Sequence, residues 1–358
     1  MIESQFTTEL HLLSQLVLGG DCSSAIDHLV RADHQRRALF HRAAQLHHVV
    51  VRAFQPLAAS ARACGESQLA KWAGEMLWLE ENRIANVLTH GRAVCQEMEL
   101  AGCPTVVIKS LDHWPDIGND LDLYTTASKE AVRSLLERSF RAVSGPRTWG
   151  DRLAAKCGFH IPRMQASVEV HHGRLGQTGE HRALAQRFIR RRINATFLGH
   201  AFMVPAPEER VIAATLQRMY RHFYFRICDL ANTKGLVERG ELDYAELYSA
   251  ATSAGILPGV STYLSIVSAY LRRYTGRPLH LPAFITERAL LGGQVLFVRG
   301  PWLRVPVLSA AVPLYRKQMT AMVMNRDLSG TFRLGLLPPL ASAAKMAYLI
   351  TGDHSGIW

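Results

Sequence analysis

Two aspartates one residue apart, in Asp120-Leu121-Asp122-Leu123, are the groups in this 358-residue chain that point most directly to chemistry. On an extended strand, positions i and i+2 share a face, so both carboxylates project the same way. Like charges held that close repel, and each raises the other's pKa. A divalent cation between them removes the conflict, and hard oxygen ligands suit Mg²⁺ or Mn²⁺. A third acid stands in Ser167-Val168-Glu169-Val170-His171. There Val168 and Val170 would face a core, with Glu169 and His171 on the opposite side. On neighbouring strands, Asp120, Asp122 and Glu169 would form a carboxylate platform for two-metal phosphoryl transfer. An Asp-x-Asp triplet alone is common at solvated strand ends. Ser110 ten residues upstream, the apolar flanks and the Val-Glu-Val segment make this one more specific.

These groups need elements to hold them. Thr105-Val106-Val107-Ile108 reads as a short strand after a Gly-Cys-Pro turn, 110–119 as a loop, and Leu121-Asp122-Leu123-Tyr124 as a second strand. Ser128 is placed to cap a helix, 157–160 and 166–171 read as further strands, and 195–204 as a hairpin. Upstream, Phe6, Leu10, Leu13 and Val17 mark one helix face that Gly19 and Gly20 end. A second pattern through Leu39, Ala43, Leu46, Val50 and Phe54 is expected to stop before Pro56. On it His47 and His48 read as solvated surface residues. A third pattern runs from Ser67 toward Met98, and Pro207 with Glu208 and Glu209 opens another helix. The segment 291–308 has no assignable pattern. The expected organisation is a helical region over 1–102, a small α/β core over 103–205, and a mainly helical region over 206–358. That makes the fold class α+β.

Lysine and arginine total 41 against 30 acids, a net charge of +11. This favours polyanionic partners such as nucleotide phosphates or RNA, or serves solubility alone. Six cysteines without a C-x-x-C pair, and a start with an early acid and no basic run, fit a reducing, cytoplasmic setting. No apolar run is long enough to span a bilayer. The apolar stretch 334–358 is expected to dock on the body, with peripheral membrane contact the less favoured reading.

The segment 106–124 resembles the polymerase-β-like nucleotidyltransferase superfamily, and more narrowly the family of uncharacterised bacterial nucleotidyltransferases. Val106-Val107-Ile108 stands for the family's strand, Ile108-Lys109-Ser110 for its Leu-Lys-Gly turn, and Asp120-Leu121-Asp122-Leu123 for its alternating acids. Glu169-Val170-His171 matches an acid-x-His pair, Pro207-Glu208-Glu209 a Pro-Glu-Asp-like helix start, and Ile227-Cys228-Asp229-Leu230 a later helix. The likeness covers about residues 35–250. The chain departs from the superfamily at Lys109, which takes the place of the turn glycine, and from the narrower family in lacking an arginine a few residues before Asp120, where Asp116-Ile117-Gly118-Asn119 stands.

The resemblance implies a nucleotidyltransferase core in which Asp120, Asp122 and Glu169 are catalytic and bind Mg²⁺ or Mn²⁺. Lys109, Ser110, Asn119, Lys156 and Arg226 would contact a nucleoside triphosphate, with ATP the expected donor. His171 would either support the metal ligands or only pack beside them. Arg152, Arg221 and Lys234 are further cations near the expected site. A nucleoside monophosphate would pass to a hydroxyl on a small molecule, peptide or protein. Two alternatives stay open: transfer to RNA ends, and a non-catalytic nucleotide-binding scaffold. The run Arg190-Arg191-Arg192 bears on the RNA reading, as a binding strip or as a solvated helix end. Asp112-His113-Trp114 would position an acceptor, stack a base, or simply pack.

Overall fold

The computed structural model describes residues 2–291 and 296–351. It is an α+β protein. Five helices lead: α1 (Ile2–Ser14), α2 (Ser23–Val30), α3 (His34–Leu46), α4 (Val50–Ala63) and the 34-residue α5 (Ser67–Leu100). A mixed sheet follows, made of β1 (Thr105–Val107), β2 (Asp120–Thr125), β3 (Val143–Ser144), β4 (Lys156–His160) and β5 (Ser167–His172). Helices α6 (Lys129–Phe140) and α7 (Trp149–Leu153) are inserted between its strands. Next come α8 (Ala183–Arg190), the hairpin β6 (Arg192–Phe197) and β7 (His200–Pro205), and α9 (Pro207–Thr215), which runs into a π-helical turn, Leu216–His222. The rest is mainly helical: α10 (Ile227–Glu238), α11 (Tyr244–Ser253), α12 (Leu257–Thr275), α13 (Ala283–Thr286), α14 (Val307–Met324), α15 (Leu328–Gly335) and α16 (Leu337–Thr351). A small sheet of β8 (Tyr224–Phe225), β10 (Trp302–Arg304) and β9 (Phe297–Arg299) interrupts it.

The main sheet has the order β1-β2-β5-β4-β3, and only β2 and β5 are parallel. Its apolar positions decide the register. Leu121, Leu123, Val168 and Val170 are all essentially fully buried against α5 and α6. Each is worth about 1.5–3 kcal/mol of burial, and a one-residue slip would turn all four toward the other face. Helix α5 comes close enough to β2 that a Cβ on Gly91 would lie 2.8 Å from Leu121 Cδ2. That glycine sets the depth at which the acid strand sits.

A second apolar cluster draws on residues from Phe6 to Leu314 and meets the sheet at Val106, Ile108 and Tyr124. It therefore packs helices from both ends of the chain against the other side of the sheet. Loop and helix are also tied by a long-range cap. Asp116 accepts from the backbone N–H groups of Val51 (2.6 Å) and Arg52 (3.2 Å), which are unpaired donors in the first turn of α4.

Several expectations need correction. The segment through Leu39 and Phe54 is two helices, and Pro56 lies inside α4 rather than ending a helix ahead of it. The break falls at His47, His48 and Val49, with His48 at φ 49°. His47 and His48 are buried, not solvated. His47 takes the N–H of Ile227 on Nδ1 at 3.0 Å and bonds the Pro301 carbonyl at 2.7 Å, and His48 stacks on His113. The loop 110–119 contains a 3₁₀ turn, Ser110–His113. Part of 291–308 forms the β9–β10 hairpin, and residues 292–295 lie outside the described residues. At the C-terminal end Leu334 and Ala344 are buried, Phe332 and Met346 are exposed, and 352–358 lie outside the described residues. No helix among the described residues is long and apolar enough to cross a membrane.

Candidate functional site

Parallel pairing of β2 and β5 sets Asp122 beside Glu169, Asp120 beside Ser167 and Tyr124 beside His171. Since side chains alternate, Asp120, Asp122, Glu169 and His171 all project from one face of the sheet. His171 Nε2 lies 2.9 Å from Glu169 Oε1 and 3.3 Å from Asp122 Oδ1. One ligand atom from each of Asp122, Glu169 and His171 falls within 4.8 Å of the others. This is the one such group of His, Cys, Asp and Glu side chains among the described residues. Asp120 stands at the exposed mouth and hydrogen-bonds through Oδ1 to the Ser167 hydroxyl.

The groups around the acids are arranged to orient them. Ser110 donates its hydroxyl to the Asp120 carbonyl (2.8 Å) and accepts the Asp122 N–H (2.8 Å), locking the turn onto β2. Its Oγ is also 3.4 Å from Asp122 Oδ2. Lys156, on β4 and almost buried, puts Nζ 2.7 Å from Glu169 Oε2 and 3.5 Å from Asp151 Oδ1. Lys109 reaches in from the turn, with Nζ 2.8 Å from Asp122 Oδ1, 3.3 Å from His171 Nε2 and 4.0 Å from Glu169 Oε1.

That reach depends on an uncommon backbone. The Ser110 N–H bonds the Ile108 carbonyl at 2.6 Å, and Lys109 has φ 62° and ψ −60°. This is a γ-turn with positive φ, a strained conformation for any residue with a Cβ. Such strain persists where the surroundings over-determine it, here through the Ser110 clamp and the ion pairs of Lys109.

The acids respond differently to their surroundings. Burial pushes the Asp120 carboxyl up, with Ser167 opposing and the charges of Asp122 and Glu169 adding to the rise. Burial would also raise Glu169, but the hydrogen bond and charge of His171, with Lys109 and Lys156, hold it well below the ordinary carboxylate range. Two carboxylates of one site in opposed environments can divide roles between holding a cation and taking a proton.

Of the residues picked out in the sequence, Lys109, Ser110, Asp122, Lys156, Glu169 and His171 converge, with Asp120 at the rim. Asn119 is exposed and borders a separate cleft with Arg83, Ile117 and Gln165. Arg226 points elsewhere: Nη1 lies 2.6 Å from His48 Nε2, and its guanidinium stacks near Tyr224 and Trp302. Arg152 sits over the Trp149 ring, and Lys234 bonds the Leu18 carbonyl.

Asp112-His113-Trp114 is packed. Asp112 pairs with Arg210 (2.7 Å), His113 stacks on His48, and the Trp114 ring meets Phe197 edge-on. Arg191 and Arg192 are held by Glu208, Glu209 and Glu99, leaving Arg190 exposed. Sequence reasoning gave no role to Ser167 or Asp151. Ser167 was legible as the residue two before Glu169, hence on its face, whereas Asp151 comes from a separate helix and left no local signal. Beside the cluster, Lys109, His171, Gln177, Gln217, Tyr220 and Arg221 line a cavity of about 40 Å³. That is room for water and not for a larger ligand.

No family model and no curated protein sequence matches this chain.

Proposed function

We propose that the chain is a divalent-metal-dependent nucleotidyltransferase, moving a nucleoside monophosphate from a nucleoside triphosphate to a hydroxyl acceptor on a small molecule, peptide or protein. The observation that carries this reading is the register that sets Asp122 against Glu169 on adjacent parallel strands, on the same face as Asp120. Two carboxylates and an imidazole within 4.8 Å form a donor set that suits Mn²⁺ and also admits Mg²⁺. Asp120, Asp122 and Glu169 would hold the metal, with His171 a further ligand. Bound there, a divalent ion would draw charge from phosphate oxygens and make the acceptor hydroxyl more acidic. Ser110 fixes the orientation of Asp122, and Lys156 that of Glu169. Lys109 offers an ammonium to the triphosphate. The acceptor hydroxyl would release its proton to water at the open face, its oxygen would attack the α-phosphorus, the bond to the α–β bridging oxygen would break, and pyrophosphate would leave.

The scaffold alternative has one observation in its favour, the Lys109 ammonium inside the acid cluster. Transfer to RNA ends has less support, because Arg187, Arg191 and Arg192 are already paired with glutamates.

The test is a melting-temperature series with each NTP, with and without Mg²⁺ or Mn²⁺, on wild type and on Asp120→Asn/Asp122→Asn, followed by transfer of label from an α-³²P NTP. A metal-dependent rise of several degrees with ATP, absent in the double variant, is the expected result. Labelled transfer by the double variant at the wild-type rate overturns the assignment.

A further inference from the structure

The acid cluster already contains cations, and they are covalently attached to the chain. Asp122 and Glu169 face Lys109 and Lys156, two carboxylates against two ammoniums. The Lys109 ammonium is within 4.0 Å of an atom of each of Asp122, Glu169 and His171, the three residues able to ligate a metal together. Its side chain is 14% exposed, so it fills the place between them rather than covering it from solvent.

We propose that Lys109 is a resident cation of this site, and that a divalent ion and a triphosphate each favour the other's entry. A metal ion arriving alone must displace an ammonium already paired with Asp122, and it gains little by doing so. A triphosphate arriving alone meets carboxylates. A metal–triphosphate complex brings both charges at once: the metal takes the carboxylates, and the phosphate oxygens take the released ammonium. Lys109 carries a compact, strongly hydrated point charge on a flexible stem, so it can turn from one partner to the other more freely than the planar, rigid fork of an arginine could. Lys156 is a weaker candidate for the same exchange, being nearly buried and shared with Asp151. The outcome is positive coupling between metal and polyphosphate, which must be reciprocal. This inference rests on the cluster being a metal site, as proposed above.

The experiment measures Mn²⁺ affinity by calorimetry or electron paramagnetic resonance, with and without inorganic tripolyphosphate. It compares wild type, Lys109→Met, Lys109→Gly and Lys109→Met/Asp122→Asn. Glycine removes the backbone strain at φ 62° together with the ammonium, so that variant guards against misfolding. Without tripolyphosphate, both single variants are expected to bind Mn²⁺ about tenfold or more tighter than wild type, and the double variant to lose the gain. In wild type, tripolyphosphate should tighten Mn²⁺ binding by about tenfold, and in Lys109→Met by much less. If Mn²⁺ binds wild type and both single variants equally, the resident-cation proposal is wrong while the metal site stands. If no protein binds Mn²⁺ under either condition, the proposal and the nucleotidyltransferase reading fall together.

Discussion

Two charged regions of this protein invite comparison: the open face of β2 and β5, and the seam where α8, α9 and α11 meet. Both pair acids with bases at short range. In the seam, Glu209 is fully buried and receives Arg187 at 2.6 Å and Arg191 at 3.1 Å, while Arg191 also holds Glu208 at 2.6 Å and Arg187 holds Glu246 at 2.6 Å. Guanidinium forks match carboxylates rigidly there, and like charges are kept apart by opposite ones. On the open face, Asp122 and Glu169 retain 16% and 27% exposure, stand beside each other, and are neutralised by lysines. The difference is exchangeability. Guanidinium forks seated on the buried Glu208 and Glu209 have one arrangement, whereas the partly exposed Asp122 and Glu169, held by single ammoniums, can give up their partners to a ligand.

Acid should have the largest effect, and it acts outside both regions, at the break between α3 and α4 and the loop packed on it. Burial pushes His47 down to about 4, and His48 and His113, also near the helical interfaces, well below the usual imidazole value. These groups stay neutral in the fold while the unfolded chain takes up protons below about pH 6.5. Stability is therefore full above that pH and falls between 6.5 and 4, by on the order of 3 kcal/mol for His47 alone. Asp116 works the other way: burial raises it to about 7, so the fold gains a proton there as pH falls. One carboxyl does not offset three imidazoles. Urea midpoints across pH 4–7.5 check the trend, and a flat profile would contradict the burial of these histidines.

Breaking the seam itself comes next. Glu209→Ala removes the buried carboxylate that Arg187 and Arg191 share, leaving them Glu246 and Glu208, and should cost about 2 kcal/mol. The urea midpoint should fall at unchanged m-value, and the unfolded fraction aside, the response to Mn²⁺ should persist. Ser110→Ala should have the smallest effect, about 1 kcal/mol, because one hydroxyl serves both the Asp120 carbonyl and the Asp122 N–H. Here the contrast sharpens: the loss should appear chiefly as weaker Mn²⁺–triphosphate binding, since Asp122 is freed to rotate. An affinity equal to wild type would remove Ser110 from the site.

Local signals carried the elements well. Ser128 caps α6 through Ala131 N–H, Pro207 starts α9, and the 3.6-residue pattern from Ser67 extends through α5. Alternation around Leu121 and Val168 correctly assigned which residues face the core, and so which face the site. Pairing was harder to read. Nothing in either segment says that β2 and β5 run parallel with Asp122 against Glu169, because that depends on the α6 crossover and on burial supplied by α5. Pro56 was misleading because helix interiors tolerate proline when tertiary packing outweighs a lost hydrogen bond; Phe54, Leu57 and Ala61 around it are fully buried. The histidines were misread for a similar reason. Their partners, Ile227, Pro301 and His113, are distant in sequence. A run of arginines likewise gives no hint that glutamates from three other helices, α5, α9 and α11, will meet it.

The Asp116 cap on α4 also has a consequence for the order in which the chain becomes itself. The first turn of α4 is completed by a carboxylate 65 positions downstream of Val51, beyond the whole of α5. A ribosome delivers α4 long before it delivers its cap. The leading helices therefore emerge with donors still satisfied only by water, and gain their finished form when the segment between Ser110 and the acid strand has been made. Fragments ending ahead of residue 116 should exchange the amides of Val51 and Arg52 freely with solvent. Longer ones reaching through β2 should protect them, so these two N–H groups would report the arrival of the site from the opposite end of the protein's first half.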